Sequence, residues 1–557
     1  MFKIFSKISN HQAKGITFAA SIISVFSLVS FLLGILRDRL ITGAFGAGND
    51  LDIYYAAFRI PDFVAMVLMT GAISVAIIPI FTHNLVKSKE KALDYISNFL
   101  NLALAGLVVI CGILFIFTPQ LMHFIVPGFS KEKLDATIYL TRIMFLSPIL
   151  LGISNIISAV LRVFQKFLIT SLAPIVYNLG SIIGVLFFVP KVGLVGLAWG
   201  IVLGAALHLA IQIPAFLKSG FALKKFFNWQ EPDFLLTIKL TIPRAIGLAA
   251  SQINLLVITI IGSTLLAGSV GIFSLANDLA QPIIGLVAIP FAVAVFPALA
   301  LAYSKGDRKD LVEKFSSVFR QVLFMIIPLS AISFILRAHL VRIAFGTGKF
   351  DWTATKLTAA CFGVFMFGIF AQGLIYLLAQ SFYSLRNTKI PTLVSIISIA
   401  STAVFSFFFI RVMSSANFFS SSLLNFLKID GMQNTAIIGL PLAISLDAIM
   451  QVCLLIYFFK RMVHDLRAKE IFSSAIRVLA ATFFATIFTY FIRQFLGGYL
   501  GGATFWVMFL QTAVAAGLGF IVFLLMALLF GSAEVKHLKD FVLSQVGFVN
   551  GKNKNVL

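Results

Sequence analysis

"SVAIIPIFTHNLVKSKEKALDYISNFL", Ser74 to Leu100, comes back 218 residues later as "AVAVFPALALAYSKGDRKDLVEKFSSVF", Ala292 to Phe319. Each is an apolar run with a late proline, then a basic loop, then an amphipathic entry into the next apolar run; Pro79 corresponds to Pro297. The correspondence continues along the chain. "MHFIVPGF" (122–129) pairs with "VRIAFGTGKF" (341–350), and "LRVFQKFLITSLAP" (161–174) pairs with "YSLRNTKIPTLVS" (383–395). "VGLVGLAWGIVLGAALHLAIQIPAFLK" (192–218) then pairs with "IIGLPLAISLDAIMQVCLLIYFFKR" (437–461), after an extra Ser- and Asn-rich loop near 414–435 in the second copy. The repeat predicts two pseudo-symmetric lobes of like orientation, residues 1–218 and 219–465, with residues 466–557 appended.

Composition decides the solvent in which these lobes fold. The 557 residues are 60% hydrophobic and only 11% charged, with a mean hydropathy of +1.02, far too apolar for an ordinary water-soluble globule. Runs long enough to cross a hydrocarbon core, roughly 20 residues each, recur to about residue 530. The expected fold is an all-α polytopic membrane protein of about fourteen transmembrane helices, six per lobe and two C-terminal ones. The first run, near 16–36, is long and leads straight into further spans, so it reads as a retained helix.

A net charge of +22 raises the question of nucleic acid. The basic residues, however, gather in alternate loops: Lys87, Lys89 and Lys91; Lys224 and Lys225; Lys305, Arg308 and Lys309; Lys460, Arg461 and Arg467. That is the bias of cytoplasmic loops, and it predicts both termini in the cytoplasm. Anionic membrane lipid is drawn to the same loops. No soluble module carries a basic face with interleaved aromatics, so no nucleic-acid partner is expected.

Chemistry of the covalent kind finds no residues to carry it. Cys111, Cys361 and Cys453 all fall in apolar runs without a CxxC or a His partner, which predicts packing and neither disulfide nor metal site. No Ser-His-Asp pattern and no "GxxxxGK[ST]" loop occur, so neither a catalytic residue nor a cofactor is expected, and the chain reads as a transporter. A parallel repeat of even span number forms two lobes with a substrate path at their interface, which predicts alternating access.

Between the first two spans lies "GILRDRLITGAFGAGNDLDIYYAAFRIPDF", residues 34–63, with Arg37, Asp38, Arg39, Asp50, Asp52, Arg59 and Asp62. Gly43, Gly46 and Gly48 would turn the backbone between two helices and serve as a hinge. Asp278 and Asp447 each cost roughly 2.5 to 3.5 kcal/mol at a lipid-facing helix centre, so they are expected to face the bundle interior. There either could bind a coupling ion, Na+ or H+, or make a structural polar contact. Arg244, in "TIPRAIG", lies just inside the seventh span. His208, in the sixth, reads as a helix-to-helix hydrogen-bonding residue.

The 34–63 stretch, followed by "GAISVAIIPIF", resembles the start of the MurJ (MviN) lipid II flippases, in the multidrug/oligosaccharidyl-lipid/polysaccharide exporter superfamily. The resemblance continues through "VPGFSKEKL", "AFGTGKFDWTAT" and "SFYSLRNTKIPT" and covers essentially the whole chain. It implies carriage of the undecaprenyl-diphosphate-linked peptidoglycan precursor from the cytoplasmic to the outer leaflet of the bacterial inner membrane. A related lipid-linked oligosaccharide, or a drug or cation in an antiporter of the same superfamily, is the alternative. The family's cavity arginine and the aspartate after its "GAG" turn match Arg37 and Asp52; Arg59 sits where the family often has a basic residue. Family arginines fall at Phe31, Met66 and Asp278 here, so the diphosphate is expected to meet Arg37, Arg59 and Arg244. Asp52 is expected at an outer gate, pairing with Arg37 or Arg39. A monomer is expected, with cell-wall synthesis proteins as possible partners.

Overall fold

The computed structural model describes residues 16–70, 76–220, 224, 226–501 and 504–535; the side chains of 16–22, 68–70, 243, 244, 246 and 248 also lie outside the described set. Helix accounts for nearly all of it, and the described residues contain no strand. Eleven helices among them are long and apolar enough to cross a membrane, from Lys89–Ile116 to Phe505–Leu529. Three further apolar runs of the sequence, near 16–36, 54–82 and 236–265, overlap helices Ile16–Phe45, Asn49–Val64 and Pro232–Ser263. Each of those three includes or adjoins residues outside the described set. The chain is a multi-pass membrane protein.

The helices start and bend where local chemistry dictates. Ser88 caps Lys89–Ile116 by accepting from Lys91 N at 3.1 Å, and Glu231 caps Pro232–Ser263 by accepting from Phe234 N at 2.7 Å. Two inner prolines each precede a π turn. Pro61 lies inside Asn49–Val64 and a π turn follows at Ala65–Thr70; Pro282 lies inside Ser269–Ile283 and a π turn follows at Ile284–Ala288. Without an N–H, Pro61 leaves the carbonyl of Ala57 without its helical donor. The Thr141 hydroxyl on the neighbouring helix shares its proton between Thr137 O at 2.8 Å and Ala57 O at 3.3 Å, and so meets that vacancy in part.

The chain divides into two compact units. The first takes the described residues up to Leu275 together with 344–355 and 402–407. In it Phe167–Ile183, with its π-helical continuation, packs against Val195–Ala210, where Gly200 admits the neighbouring backbone: a Cβ there would stand 2.8 Å from Gly184 Cα. Small residues at such a contact gain dispersion that lipid cannot supply. Phe81, Tyr95, Ile96 and Phe216 make a second core in this unit, pinned by Tyr95 hydroxyl to Thr237 hydroxyl at 2.8 Å and by Asn84 Nδ2 to Asp233 Oδ2 at 2.7 Å.

The second unit holds 276–343, 356–401 and the described residues from Phe408 onward. Its last two long helices, Ala468–Leu500 and Phe505–Leu529, pack on Arg308–Phe345 through Phe324, Val478, Ala481 and Phe523, with the Phe324 and Phe523 rings 5.0 Å apart. Phe483 and Phe491 stay exposed on this pair, as lipid-facing side chains do in a membrane helix.

Candidate functional site

The turn in the 34–63 stretch falls at Gly46, whose φ of +73° suits glycine after helix Ile16–Phe45. Gly43 has a different job. Its carbonyl accepts from Lys349 N at 2.9 Å, and a Cβ on it would come within 2.6 Å of Thr347 Cγ2. Gly48 precedes Asn49–Val64 with no neighbour within 4 Å of a Cβ position. Two of these glycines therefore serve a turn and a close contact.

Arg37 sits on the last turns of the first helix. Its Nε donates to Asp38 Oδ1 at 2.8 Å, and Nη1 reaches Asn178 Oδ1 at 3.4 Å. Asn178, on Phe167–Ile183, is itself oriented by donating to Ser30 O at 3.1 Å and Pro174 O at 3.2 Å. Arg39 donates instead to Gly346 O at 3.2 Å. A guanidinium held at two edges is aimed, with donor capacity left for a further acceptor.

Arg59 is aimed in the same way by neutral partners. Nε donates to Thr259 Oγ1 and Nη2 to Ser274 Oγ, both at 2.9 Å. The Thr259 contact ties Asn49–Val64 to Pro232–Ser263, and the Ser274 contact ties it to the start of Ser269–Ile283. Hydroxyls orient a guanidinium without cancelling its charge, and the Asp62 carboxylate on its own helix lies within range of that charge.

Asp52 takes a partner other than Arg37 or Arg39. Its Oδ2 accepts from Lys133 Nζ at 2.7 Å and from Gly268 N at 2.7 Å, and its Oδ1 accepts from Gly271 N at 2.8 Å. The aspartate thus caps the N-terminal end of Ser269–Ile283, where a negative charge is favoured. Lys131–Met144 packs beside Asn49–Val64 and delivers the lysine. Arg37 pairs with Asp38 and Arg39 donates to Gly346 O, while Asp52 takes Lys133.

In the second unit Asp447 is 3% exposed. It accepts from Ser398 Oγ at 2.7 Å and Gln451 Nε2 at 2.8 Å, and from Ser401 Oγ. Asp278 is half-buried on Ser269–Ile283. Arg244 is carried by Pro232–Ser263, its side chain outside the described residues. His208 accepts or donates at Nδ1 with Ser154 Oγ, 2.7 Å away, in a buried network with Gln212 and Ser158. The described residues contain no group of three or more His, Cys, Asp or Glu able to hold a metal ion.

Lys133, Asn178, Thr259 and Ser274 escaped the sequence reading. Lys133 stood in plain view in "GFSKEKL", but nothing local joins it to a carboxylate 81 residues earlier; the three neutral residues carry no sequence signal at all.

The sequence profile of the family described as "Lipid II flippase MurJ" matches residues 41–510. A relative from Buchnera aphidicola subsp. Acyrthosiphon pisum, "Probable lipid II flippase MurJ", is 28% identical over 387 residues, covering 68% of this chain and 75% of its own. "Lipid II flippase MurJ" of Burkholderia cenocepacia is 24% identical over 403 residues, 71% of this chain and 78% of its own. Solved structures share the fold. "Lipid II flippase MurJ, inward closed conformation" aligns with a TM-score of 0.70 at 21% identity, over 93% of this chain and 99% of that one. An inward-facing MATE family transporter of the MOP superfamily aligns at 0.62 with 13% identity, over 81% of this chain and 99% of that one.

Proposed function

Since the chain belongs to the MurJ family of lipid II flippases, we propose that it carries lipid II from the cytoplasmic to the outer leaflet by alternating access, with Arg37 and Arg59 receiving the diphosphate. It is a transporter and not an enzyme. The substrate joins a diphosphate and a polar headgroup to a polyprenyl tail. Moving the head across the membrane demands cations, because a diphosphate stripped of water and left unpaired is very costly.

The observation that carries the residue assignment is the orientation of two arginines on helices Ile16–Phe45 and Asn49–Val64 of one unit. Arg37 is held by Asp38 and Asn178, and Arg59 by Thr259 and Ser274. A planar fork fixed before the ligand arrives loses little freedom on binding phosphate oxygens bidentately. Asp38 would yield part of its hold on Arg37 to the stronger anion. Arg244 is assigned as the third cation of the same path, on its place in the seventh span. Asp52 is assigned to the outer gate, working through Lys133.

Asp447 is the residue assigned to the coupling ion. Its three donors can turn: Ser398 and Ser401 hydroxyls offer lone pairs as readily as protons, so Na+ or H+ could replace their hydrogen bonds. Asp278 is the second carboxylate open to that role. The loop charges support cytoplasmic termini, and one chain supplies both lobes, which supports a monomer.

The test is complementation of a bacterium depleted of its own lipid II flippase, with membrane levels of each protein checked. Rescue by the wild type and loss of rescue in Arg37→Ala, Arg59→Ala and Arg244→Ala is the expected result. A well-expressed wild type that fails to rescue would move the substrate to another lipid-linked sugar.

A further inference from the structure

The loop inserted into the second copy near 414–435 has no part in this transport scheme, yet it is folded. Asn417 caps helix Phe418–Leu427, accepting from Ser420 N at 2.8 Å, and Lys428 ends it at φ 62°. Phe418 is 89% exposed, and Phe419 and Phe426 are exposed as well. A short helix linking two spans with phenylalanines outward is suited to lie in the membrane interface.

Arg337 docks this helix. Its Nη2 donates to Leu427 O at 3.4 Å and its Nη1 to Phe334 O at 2.9 Å. The guanidinium lies 4.4 Å from the centre of the Phe334 ring, which in turn stacks on Phe426 at 5.5 Å. Room for it comes from Gly363, where a Cβ would stand 2.8 Å from Arg337 Cδ.

Two more basic groups converge here from Arg308–Phe345 and Ala468–Leu500, whose Leu336, Leu340 and Ile492 share one packed cluster. The Arg493 guanidinium lies 5.3 Å from the centre of the Tyr490 ring. Arg493 Nε and His339 Nδ1 are buried without a hydrogen-bond partner. Among the described residues no carboxylate lies within 4 Å of Arg337, His339 or Arg493. Aromatic rings receive both guanidiniums, but the buried Nε of Arg493 stays unmet and no carboxylate balances the three basic groups, which favours an anion beside them.

We infer that Arg337, His339 and Arg493 bind the phosphate of an anionic phospholipid whose chains lie against the exposed phenylalanines of helix Phe418–Leu427. Phosphate suits the donors: two guanidinium forks present parallel N–H groups to its oxygens. A lipid suits the surroundings, because a free phosphate has no use for an apolar interfacial helix. The site belongs wholly to the second unit and shares no residue with the arginines assigned to the substrate. By the loop charges it faces the outer leaflet.

The experiment uses the full chain in phosphatidylcholine nanodiscs doped with phosphatidylglycerol, with native mass spectrometry counting the lipids retained after release. The wild type should keep phosphatidylglycerol over phosphatidylcholine by about tenfold. Arg493→Gln should lose most of that preference, Arg493→Lys, which keeps charge without the fork, should fall between, and Phe418→Ser with Phe419→Ser should weaken retention with the arginines intact. Equal retention of the two lipids by the wild type, or a preference untouched by Arg493→Gln in a protein that still unfolds cooperatively, would overturn the site. Displacement of the lipid by millimolar inorganic phosphate would overturn the assignment to a lipid.

Discussion

Lys133 Nζ stands 2.7 Å from Asp52 Oδ2, with the aspartate side chain 2% and the lysine 12% exposed. The same carboxylate also takes the backbone N–H groups of Gly268 and Gly271, so one ion pair fastens three helix ends. Removing a single partner from a buried pair strands the other charge, at about 3 to 5 kcal/mol. Lys133→Met should therefore lower the thermal stability of the purified protein sharply, and Asp52→Asn with Lys133→Met should recover part of the loss. Additive effects of the two changes in a double-mutant cycle would show that the pair is not coupled.

The carbonyl freed by Pro61 makes a second, separable prediction. Thr141→Val deletes the hydroxyl that reaches Ala57 O and leaves a buried acceptor unmet, for about 1 to 3 kcal/mol. Pro61→Ala restores a backbone N–H to that position. In the Pro61→Ala background Thr141→Val should cost clearly less than it does alone, as read by unfolding midpoints. An equal cost in both backgrounds would mean that the hydroxyl answers to its other acceptor, Thr137 O at 2.8 Å.

For Arg59, orientation and charge can be told apart. Thr259→Val with Ser274→Ala removes both neutral partners of the guanidinium but keeps its charge, so transport should fall by less than about tenfold. Arg59→Ala should abolish it at equal membrane level. Arg59→Lys should lie between, because an ammonium cannot engage two oxygens in parallel. Lipid II translocation into vesicles would rank the three; full activity in Arg59→Ala would remove this residue from the substrate path.

Hydropathy made the helical, membrane-crossing architecture legible, because lipid imposes span length and helix on every crossing segment. The charged stretch from Arg37 to Asp62 could be located for the same reason: polar groups between apolar runs are conspicuous. Partnership was not legible. Asp52 meets Lys133 and Arg37 meets Asn178 because helices distant in sequence pack side by side, and residue type alone does not say which neighbour arrives. The role of Gly43 was hidden likewise, its small size answering to Thr347, some three hundred residues away.

Glu534, just beyond the last long helix, supplies the pH-dependent prediction. It is 5% exposed, and burial pushes its carboxyl up. Hydrogen bonds from Ser532 at 2.7 Å and Ser474 at 2.9 Å, with Arg320 3.5 Å away, outweigh that and hold it below the ordinary 4.5. A carboxyl lower in the folded than in the unfolded state contributes stability above the unfolded value and loses it as pH falls through the folded one. The contribution is thus present at neutral pH and drains away below about pH 4.5. Through Ser474 and Arg320 that loss falls on the seating of Ala468–Leu500 against Arg308–Phe345. Glu534→Gln should be less stable than the wild type at pH 7, and the gap should narrow as the buffer is acidified. Thermal unfolding across pH 4 to 7 measures it; a gap that stays constant with pH would assign the effect to packing and not to the charge.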